Sequence, residues 1–366
     1  MPNILVSQSH LFEDFNAWTS ELATQVPRHR IVQISDSLFR RYELPWESTS
    51  LPLELRRQLQ ASLRTSLDSV AEYHADQGMT TKAVLAMDDG AKIETVLMRY
   101  PKRSTVCISS QVGCAMGCTF CATGQGGFGR HLRSSEMEEQ WVWASRALRS
   151  QGGGDRPTNV VMMGMGEPLA NYDQVILFVR ALVERYGLGQ RSITISTVGI
   201  VPGIRRLTNE PLQVNLAVSI HAPDDETRNQ IVPMNHRYGI DDIMDALNDY
   251  VIRTHRRVSF EYALINGVND HPEHAARLAA LARELRAHVN LIPLNPTPGY
   301  PVQGTPLEVV RRFRDALIEH GVAASIRTTR GDDIAGACGQ LVQTIERRDR
   351  PKSRPSTTSV DSQASA

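Results

Sequence analysis

Lysine is scarce in this 366-residue chain: the 40 basic residues include only Lys82, Lys92, Lys102 and Lys352, and the rest are arginine. Arginine forks phosphate bidentately and stacks on bases, whereas lysine is a compact point charge. An arginine-rich genome leaves the same bias, so the scarcity alone names no partner. Net charge is lacking as well: 40 acidic residues match the 40 basic ones, and no global field draws in a polyanion. No run of about 18 apolar residues occurs, so no membrane span is expected. The start, MPNILVSQSHLFEDF, has no basic residues ahead of an apolar core, and a secretory signal is not expected. Cysteine is limited to five, an odd number, which without a signal peptide points to a reducing cytoplasm. What the chain does have is length and a hydrophobic content of 41%, enough for a sizeable core and two or so domains.

Four of the five cysteines lie in one stretch, Cys107 to His131, CISSQVGCAMGCTFCATGQGGFGRH. Cys114, Cys118 and Cys121 have the spacing C-x3-C-x2-C. Thiolates select zinc, copper(I) or iron–sulfur clusters. A closed zinc site would want a fourth Cys or His, usually from a second close pair, and none follows. Three thiolates in one tight loop suit a four-iron cluster with one iron left open to a non-protein ligand. Phe120 is placed to cover that cluster from water. The alternative is three buried structural cysteines, or a zinc loop short of one ligand.

In chain order, residues 1–80 read as a small helical domain. Leu11, Phe12, Phe15, Trp18, Leu22 and Val26 recur at helical spacing, a second helix is expected from Val32 to Tyr42, and Pro52 opens a third in LPLELRRQLQASL. AVLAMDDGAKIETVLMR (83–99) reads as a β-hairpin turning at Asp89-Gly90. From Thr105 to Arg327 strands and helices alternate. Strands are expected at 105–109, 159–163, 192–197, 214–220, 258–264, 289–294 and 323–327, with helices such as Asp173–Tyr186, Ile240–Thr254, Pro272–Ala287 and Leu307–His320 between them. That alternation means βαβ units, a parallel sheet and an α/β barrel or partial barrel. The tail from Glu346 is polar and poor in apolar residues, as disordered segments are.

The three-cysteine loop, with an aromatic before its last cysteine, resembles the signature of the radical S-adenosylmethionine (radical-SAM) superfamily. The longer string CISSQVGCAMGCTFCATGQGGFGR resembles one branch, the RlmN/Cfr family of RNA adenine methyltransferases. The likeness covers about residues 85–345, and more weakly 27–80, where the chain is short upstream and lacks an aromatic near Ser37. It implies a partial (β/α)6 barrel with an RNA-contacting helical accessory domain (1–80), a hairpin before the barrel, a barrel with a catalytic cysteine segment (81–345) and a disordered tail (346–366). It also implies a 4Fe-4S cluster on Cys114, Cys118 and Cys121. Gly164-Met-Gly166-Glu167-Pro168 resembles the glycine-rich element that binds the amino group of S-adenosyl-L-methionine, and Gly166, Glu167, Ser196, Ser219, Ile220, His221 and Asn295 are the implied cofactor contacts.

Cys338, in GDDIAGACGQL, matches the family's methyl-carrying cysteine; Cys107 lies seven residues before Cys114, as in the family; Glu94 matches the family's base. Adenine C2 and C8 are electron-poor and cannot attack a sulfonium methyl group in an ordinary displacement, but a thiolate can. The implied route uses two S-adenosylmethionine molecules, one to methylate Cys338 and one to activate that methyl group. Glu94 then removes a proton from the adenine adduct, and Cys107 frees the product by forming a disulfide with Cys338. The implied partners are 23S ribosomal RNA with tRNA as a second substrate, an electron donor such as a flavodoxin or ferredoxin, and a thiol reductant. A cytoplasmic monomer is expected. C2 and C8 remain alternatives, as do a radical-SAM enzyme with another substrate and a non-catalytic protein that kept the fold. Arg130, Arg133, Arg205, Arg206, Arg253, Arg256, Arg257 and Arg330 are candidate phosphate contacts, against the ordinary alternative of solvated helix faces.

Overall fold

The computed structural model describes residues 8–297, 299–328 and 330–341; the tail expected over 346–366 lies outside them. Ten strands form one sheet: β1 (Leu67–Ala75), β2 (Thr80–Met87), β3 (Lys92–Tyr100), β4 (Arg103–Cys107), β5 (Asn159–Met162), β6 (Ile193–Thr197), β7 (Asn215–Ser219), β8 (Val258–Leu264), β9 (His288–Pro293) and β10 (Ala324–Ile326). Each strand neighbours the next one in sequence. The ladders from β1 to β4 are antiparallel, and those from β4 to β10 are parallel. The first and last strands do not pair with each other, so the barrel is open. Its parallel part has seven strands, one more than a six-stranded barrel. The seventh, only three residues long, leads into the Cys338 segment.

Helices cover the outside of the parallel strands: α4 (Ser134–Ser150), α5 (Tyr172–Glu184), α6 (Val201–Thr208), α7 (Asp225–Ile231), α8 (Ile240–Thr254), α9 (Pro272–Glu284) and α10 (Leu307–Glu319). Their apolar period explains why they form and what they face. In α5, Val175, Phe178, Val179 and Leu182 are spaced i, i+3, i+4, i+7 and are buried, while Leu177 points outward. The starts are set chemically. Asp224 caps α7 by accepting the Thr227 N–H at 2.9 Å. Pro272 opens α9, where its missing N–H leaves nothing unpaired. Each fully buried Leu, Ile or Phe contributes about 1.5–3 kcal/mol, and truncating one such as Phe178 costs about 3–5 kcal/mol.

The N-terminal helices α1 (Phe15–Ala23), α2 (Arg28–Asp36) and α3 (Leu53–Ser62) share the barrel's core instead of closing on one of their own. An aromatic chain joins them to it, Phe15 to Phe39, Phe39 to Tyr186 and Tyr186 to Trp141, with ring centroids 4.8, 5.4 and 6.0 Å apart. The helical expectation for residues 1–80 does not hold beyond Ser62: Leu67–Ala75 is the antiparallel edge strand β1. Its pattern gave no sign because an edge strand with Val70 and Tyr73 exposed shows no apolar alternation. The expected hairpin is present as β2 and β3, built into the main sheet.

Candidate active site

Parallel strands bring their C-terminal ends to one rim, and the residues that leave those ends collect there. Around that rim lies a chamber with about 930 Å³ of empty volume, part of it open to solvent. Cys114, Cys118, Cys121, Gly166, Glu167, Ser196, Ser219, His221, Asn295 and Cys338 all line it. Ile220 does not; it is fully buried, its N–H donating to the Glu261 carbonyl and its own carbonyl accepting from Arg228 Nε at 2.8 Å.

The cysteine loop leaves β4 through Gln111–Gly113, which pairs with Phe128–His131, and makes one helical turn at Ala122–Gln125. At Gly124 a Cβ would stand 3.0 Å from the Cys118 carbonyl oxygen and 3.1 Å from its nitrogen, so any side chain there would press on the backbone where the loop folds back on itself. Met116, Cys118, Phe120, Ala222, Ile231 and Val232 belong to an apolar cluster separate from the main core. The Phe120 ring meets His221 edge-on at 4.9 Å. Burial pushes the Cys114 thiol up to about 12 and raises those of Cys118 and Cys121, and the three repel one another's charge. A cationic iron centre relieves both effects. Among the described residues no three His, Cys, Asp or Glu side chains converge as a single-ion site. Three thiols lining one chamber on a loop with its own apolar packing are a donor set that fits an iron–sulfur cluster.

Beside the loop, Gly166 has φ +104°, and a Cβ on it would come within 2.6 Å of Gln111. Glu167 ties two strand ends together: one oxygen accepts the Leu169 N–H at 2.9 Å, the other the Val198 N–H at 2.8 Å. Burial pushes its carboxyl up to about 7, and an ammonium group in the chamber would hold it ionised. His221, at φ 55°, accepts the Ala263 N–H on Nδ1 at 3.0 Å. Burial, then Arg228, lowers it to about 3, so the ring is neutral and carries its proton on Nε2. These are groups for the polar ends of a cofactor such as S-adenosylmethionine.

A second chamber, with about 490 Å³ of empty volume, lies next to the first. Val96, Met98, Tyr100 and Cys107 line it on one side, and Met163, Ile292, Asn295, Arg327 and Cys338 belong to both chambers. Cys338 therefore faces the cysteine loop and Cys107 together. Its segment is stitched in place by groups distant in sequence. Asn295 Nδ2 donates to the Cys338 carbonyl at 3.1 Å, Ala122 N–H to that of Gly339 at 2.8 Å, and Thr123 Oγ1 to that of Leu341 at 2.5 Å. Burial, with the neighbouring Cys338 charge, pushes the Cys107 thiol up to about 12, and Arg327 pulls it back.

Glu94 is buried on β3, its carboxylate 3.0 Å from Lys82 Nζ. It does not line either chamber, but Val96, two residues on along the same face, does. Sequence reasoning missed Lys82, Arg228, Glu261 and Arg327. Arg228 is fully buried and donates to the carbonyls of Ile220, Val198 and Ser219, clamping the ends of β6 and β7. Glu261 is held by Asn290 Nδ2 at 2.9 Å. The available signal was a charged residue inside or ending an otherwise apolar strand, as in SFEYAL and AASIR.

Several arginines read as phosphate contacts are engaged within the protein. Arg130 pairs with Asp89 and Glu136, Arg133 with Glu13, and Arg206 with Asp173. Arg256 donates to Asn215, Arg257 to the Arg286 carbonyl and Arg330 to that of Arg99. Among the described residues no helix is long and apolar enough to cross a membrane.

Comparison with known proteins agrees with this geometry. The sequence model of the Radical SAM superfamily matches residues 108–279. A protein of Chloroflexus aurantiacus named probable dual-specificity RNA methyltransferase RlmN is 47% identical over 346 residues, 91% of this chain and 90% of its own length. One of the same name from a Parafrankia species is 51% identical over 80% of each chain. The crystal structure of a radical SAM methyltransferase from Sphaerobacter thermophilus superposes with a TM-score of 0.83 at 48% identity, covering 88% of this chain and 96% of that one. A rim of strand ends lined by the three loop cysteines, with likeness of this extent over nearly the whole chain, makes this a radical-SAM enzyme of the RlmN family of RNA methyltransferases.

Proposed function

We propose that this enzyme methylates C2 of an adenine in 23S ribosomal RNA, and of an adenine in tRNA, through a methyl group carried on Cys338. The observation that carries the reading is that Cys338 lines both chambers. A methyl carrier must reach the cofactor that loads it and the base that receives the carbon, and one side chain in a shared wall meets both demands.

In this reading Cys114, Cys118 and Cys121 hold a 4Fe-4S cluster, and Gly166, Glu167, Ser196, Ser219, His221 and Asn295 hold S-adenosyl-L-methionine, with Ile220 packed behind them. Cluster and cofactor together supply the methyl group and one-electron chemistry, two cofactor molecules serving each turnover. Cys338 takes the methyl group on its sulfur; that carbon gives up one hydrogen atom in the one-electron step, to the 5′-carbon of the second cofactor molecule, and forms the new bond to the adenine carbon. Glu94 accepts the proton that leaves the adenine carbon. The Cys107 thiolate then attacks the Cys338 sulfur. An S–S bond forms, the bond from that sulfur to the delivered carbon breaks, and the electron pair stays with the carbon, which takes up a proton to become a methyl group. A thiol reductant restores the two cysteines, which suits a reducing cytoplasm. A flavodoxin or ferredoxin supplies the electrons, and the chain acts as a monomer. The base reaches the Cys107 chamber by leaving its stack, as bases do for enzymes that modify them.

The test is mass spectrometry of adenosines in ribosomal RNA and tRNA from cells with and without the gene. Loss of 2-methyladenosine from one or both RNA classes is expected. Loss of 8-methyladenosine instead would move the target carbon, and no change in either would overturn the reading.

A further inference from the structure

The buried ion pair on the antiparallel side of the sheet has no part in the scheme above beyond its carboxylate. Lys82 and Glu94 sit on adjacent strands, β2 and β3, in a diagonal relation: Lys82 is opposite Val96, and Glu94 is two residues before it on the same face. Their side chains are 8% and 3% exposed and meet at 3.0 Å. The same Lys82 Nζ donates to the Ala335 carbonyl at 3.3 Å, three residues before Cys338, and lies over the Tyr73 ring at 5.3 Å from its centroid. Ala335 itself has φ 49°, a left-handed conformation that costs a non-glycine residue about 1–3 kcal/mol and persists only where its surroundings enforce it.

Stability does not account for this arrangement. Desolvating two charges offsets most of their attraction, and an apolar pair of similar volume usually stabilises as well or better. The residue choice is also unusual, since one of four lysines in the whole sequence stands here where arginine serves nearly every other cationic position. A compact ammonium on a flexible stem can hold a carboxylate and a carbonyl at once without the planar fork of a guanidinium.

We propose that Lys82 is a positioning residue for the proton-transfer step, its ammonium holding the Glu94 carboxylate and the Ala335 turn of the Cys338 segment in one fixed relation so that base and methyl carrier address the same adenine carbon. The inference rests on the functional reading given above. In the step it serves, the C–H bond at the adenine carbon of the Cys338-linked adduct breaks heterolytically, its proton passes to a Glu94 oxygen, its electron pair stays in the ring, and the odd electron left by the one-electron addition would return to the iron–sulfur centre that supplied it. Without Lys82 the methyl group is still loaded on Cys338 and still delivered, but the adduct waits for its base.

The experiment compares the full chain with Lys82→Met and Lys82→Arg, reconstituted with iron and sulfide and given an RNA substrate. Three quantities are read: methylation of Cys338 by peptide mass, protein–RNA adduct on denaturing gels, and methyladenosine. Lys82→Met is expected to keep its iron and its methylated Cys338, to form methyladenosine at least about tenfold more slowly, and to accumulate adduct. Lys82→Arg, which keeps the charge but brings a planar fork to a site built for a compact ammonium, is expected to recover only part of the rate, and adding Lys82→Met to Glu94→Gln to slow the reaction no further. Hydrogen exchange over residues 330–341, measured on the metal-free chains, is expected to quicken in Lys82→Met. Normal turnover by Lys82→Met, slow turnover without adduct, or unchanged exchange in that segment each overturns the inference. A wild-type enzyme that makes no methyladenosine, while exchange still quickens in the variant, points instead to failure of the functional reading.

Discussion

The two chambers that meet at Cys338 are built from different materials. The larger is made by parallel strand ends and a sulfur-bearing loop packed in its own apolar cluster. The smaller is made by the antiparallel strand β3, the end of β4 and the C-terminal segment. The first collects residues because every βαβ unit returns its strand to the same rim. The second exists only because a segment more than 200 residues beyond the cysteine loop folds back over that rim, held by Ala122, Thr123 and Asn295. In the function proposed above, the difference separates two jobs: holding a cluster and cofactor at the parallel strand ends, and offering a methyl group to a base, for which the strands before the barrel and the strap after it would serve.

The comparison breaks most completely if the larger chamber is emptied. Cys118→Ala is expected to abolish iron uptake as read by iron content and absorbance, and with it methylation of both Cys338 and RNA, because the shared wall is then never loaded. Cys338→Ala should separate the chambers: iron content stays at the wild-type level while methyladenosine falls below detection. Cys107→Ala acts later still, leaving RNA covalently held on Cys338, visible as a gel-shifted adduct that survives denaturation. In the proposed scheme, release of that adduct in the wild type depends on the Cys107 thiol, which burial raises far above the ordinary thiol range. While the pH stays below the raised pKa the thiolate fraction grows tenfold per pH unit, so release should speed up about tenfold per unit from pH 7 to 9 in a single-turnover decay; a pH-independent decay would remove Cys107 from that step. The smallest effect belongs to the surface that joins the N-terminal helices to the barrel. Arg146 and Glu47 form a two-bond pair at 2.9 Å, but both are solvated. Arg146→Ala should cost no more than about 1 kcal/mol in denaturant unfolding, against about 3–5 kcal/mol for Trp141→Ala in the aromatic chain beneath.

Most of the larger chamber was legible in the sequence. The spacing of Cys114, Cys118 and Cys121 is local, and the positions after each strand follow from the alternation of apolar strands and helices. What escaped were groups whose meaning is tertiary. Arg228 carries no signal in the sequence and is fully buried, donating to carbonyls at two strand ends. Lys82 stood in the sequence only as one of four lysines; its partner on the next strand gives it meaning. Several arginines read as phosphate contacts turned out to be paired with carboxylates, because charge pairing across helices leaves no periodic trace. Leu67–Ala75 was lost to the helical reading for the same reason, its outward-facing edge having no alternation to detect.

By itself, the sequence determined the close spacing of Cys114, Cys118 and Cys121, the βαβ order and the presence of two further cysteines, since each rests on short-range spacing or on a hydrophobic period of 2 or 3.6 residues. The tertiary structure alone decided that Cys338 would close the wall between two chambers, that Cys107 would face it across the second, and that Lys82 would hold Glu94 to the Cys338 segment. Those relations join residues hundreds of positions apart. They are fixed by loop closure and the packing of a strap across a barrel rim, which no local pattern records.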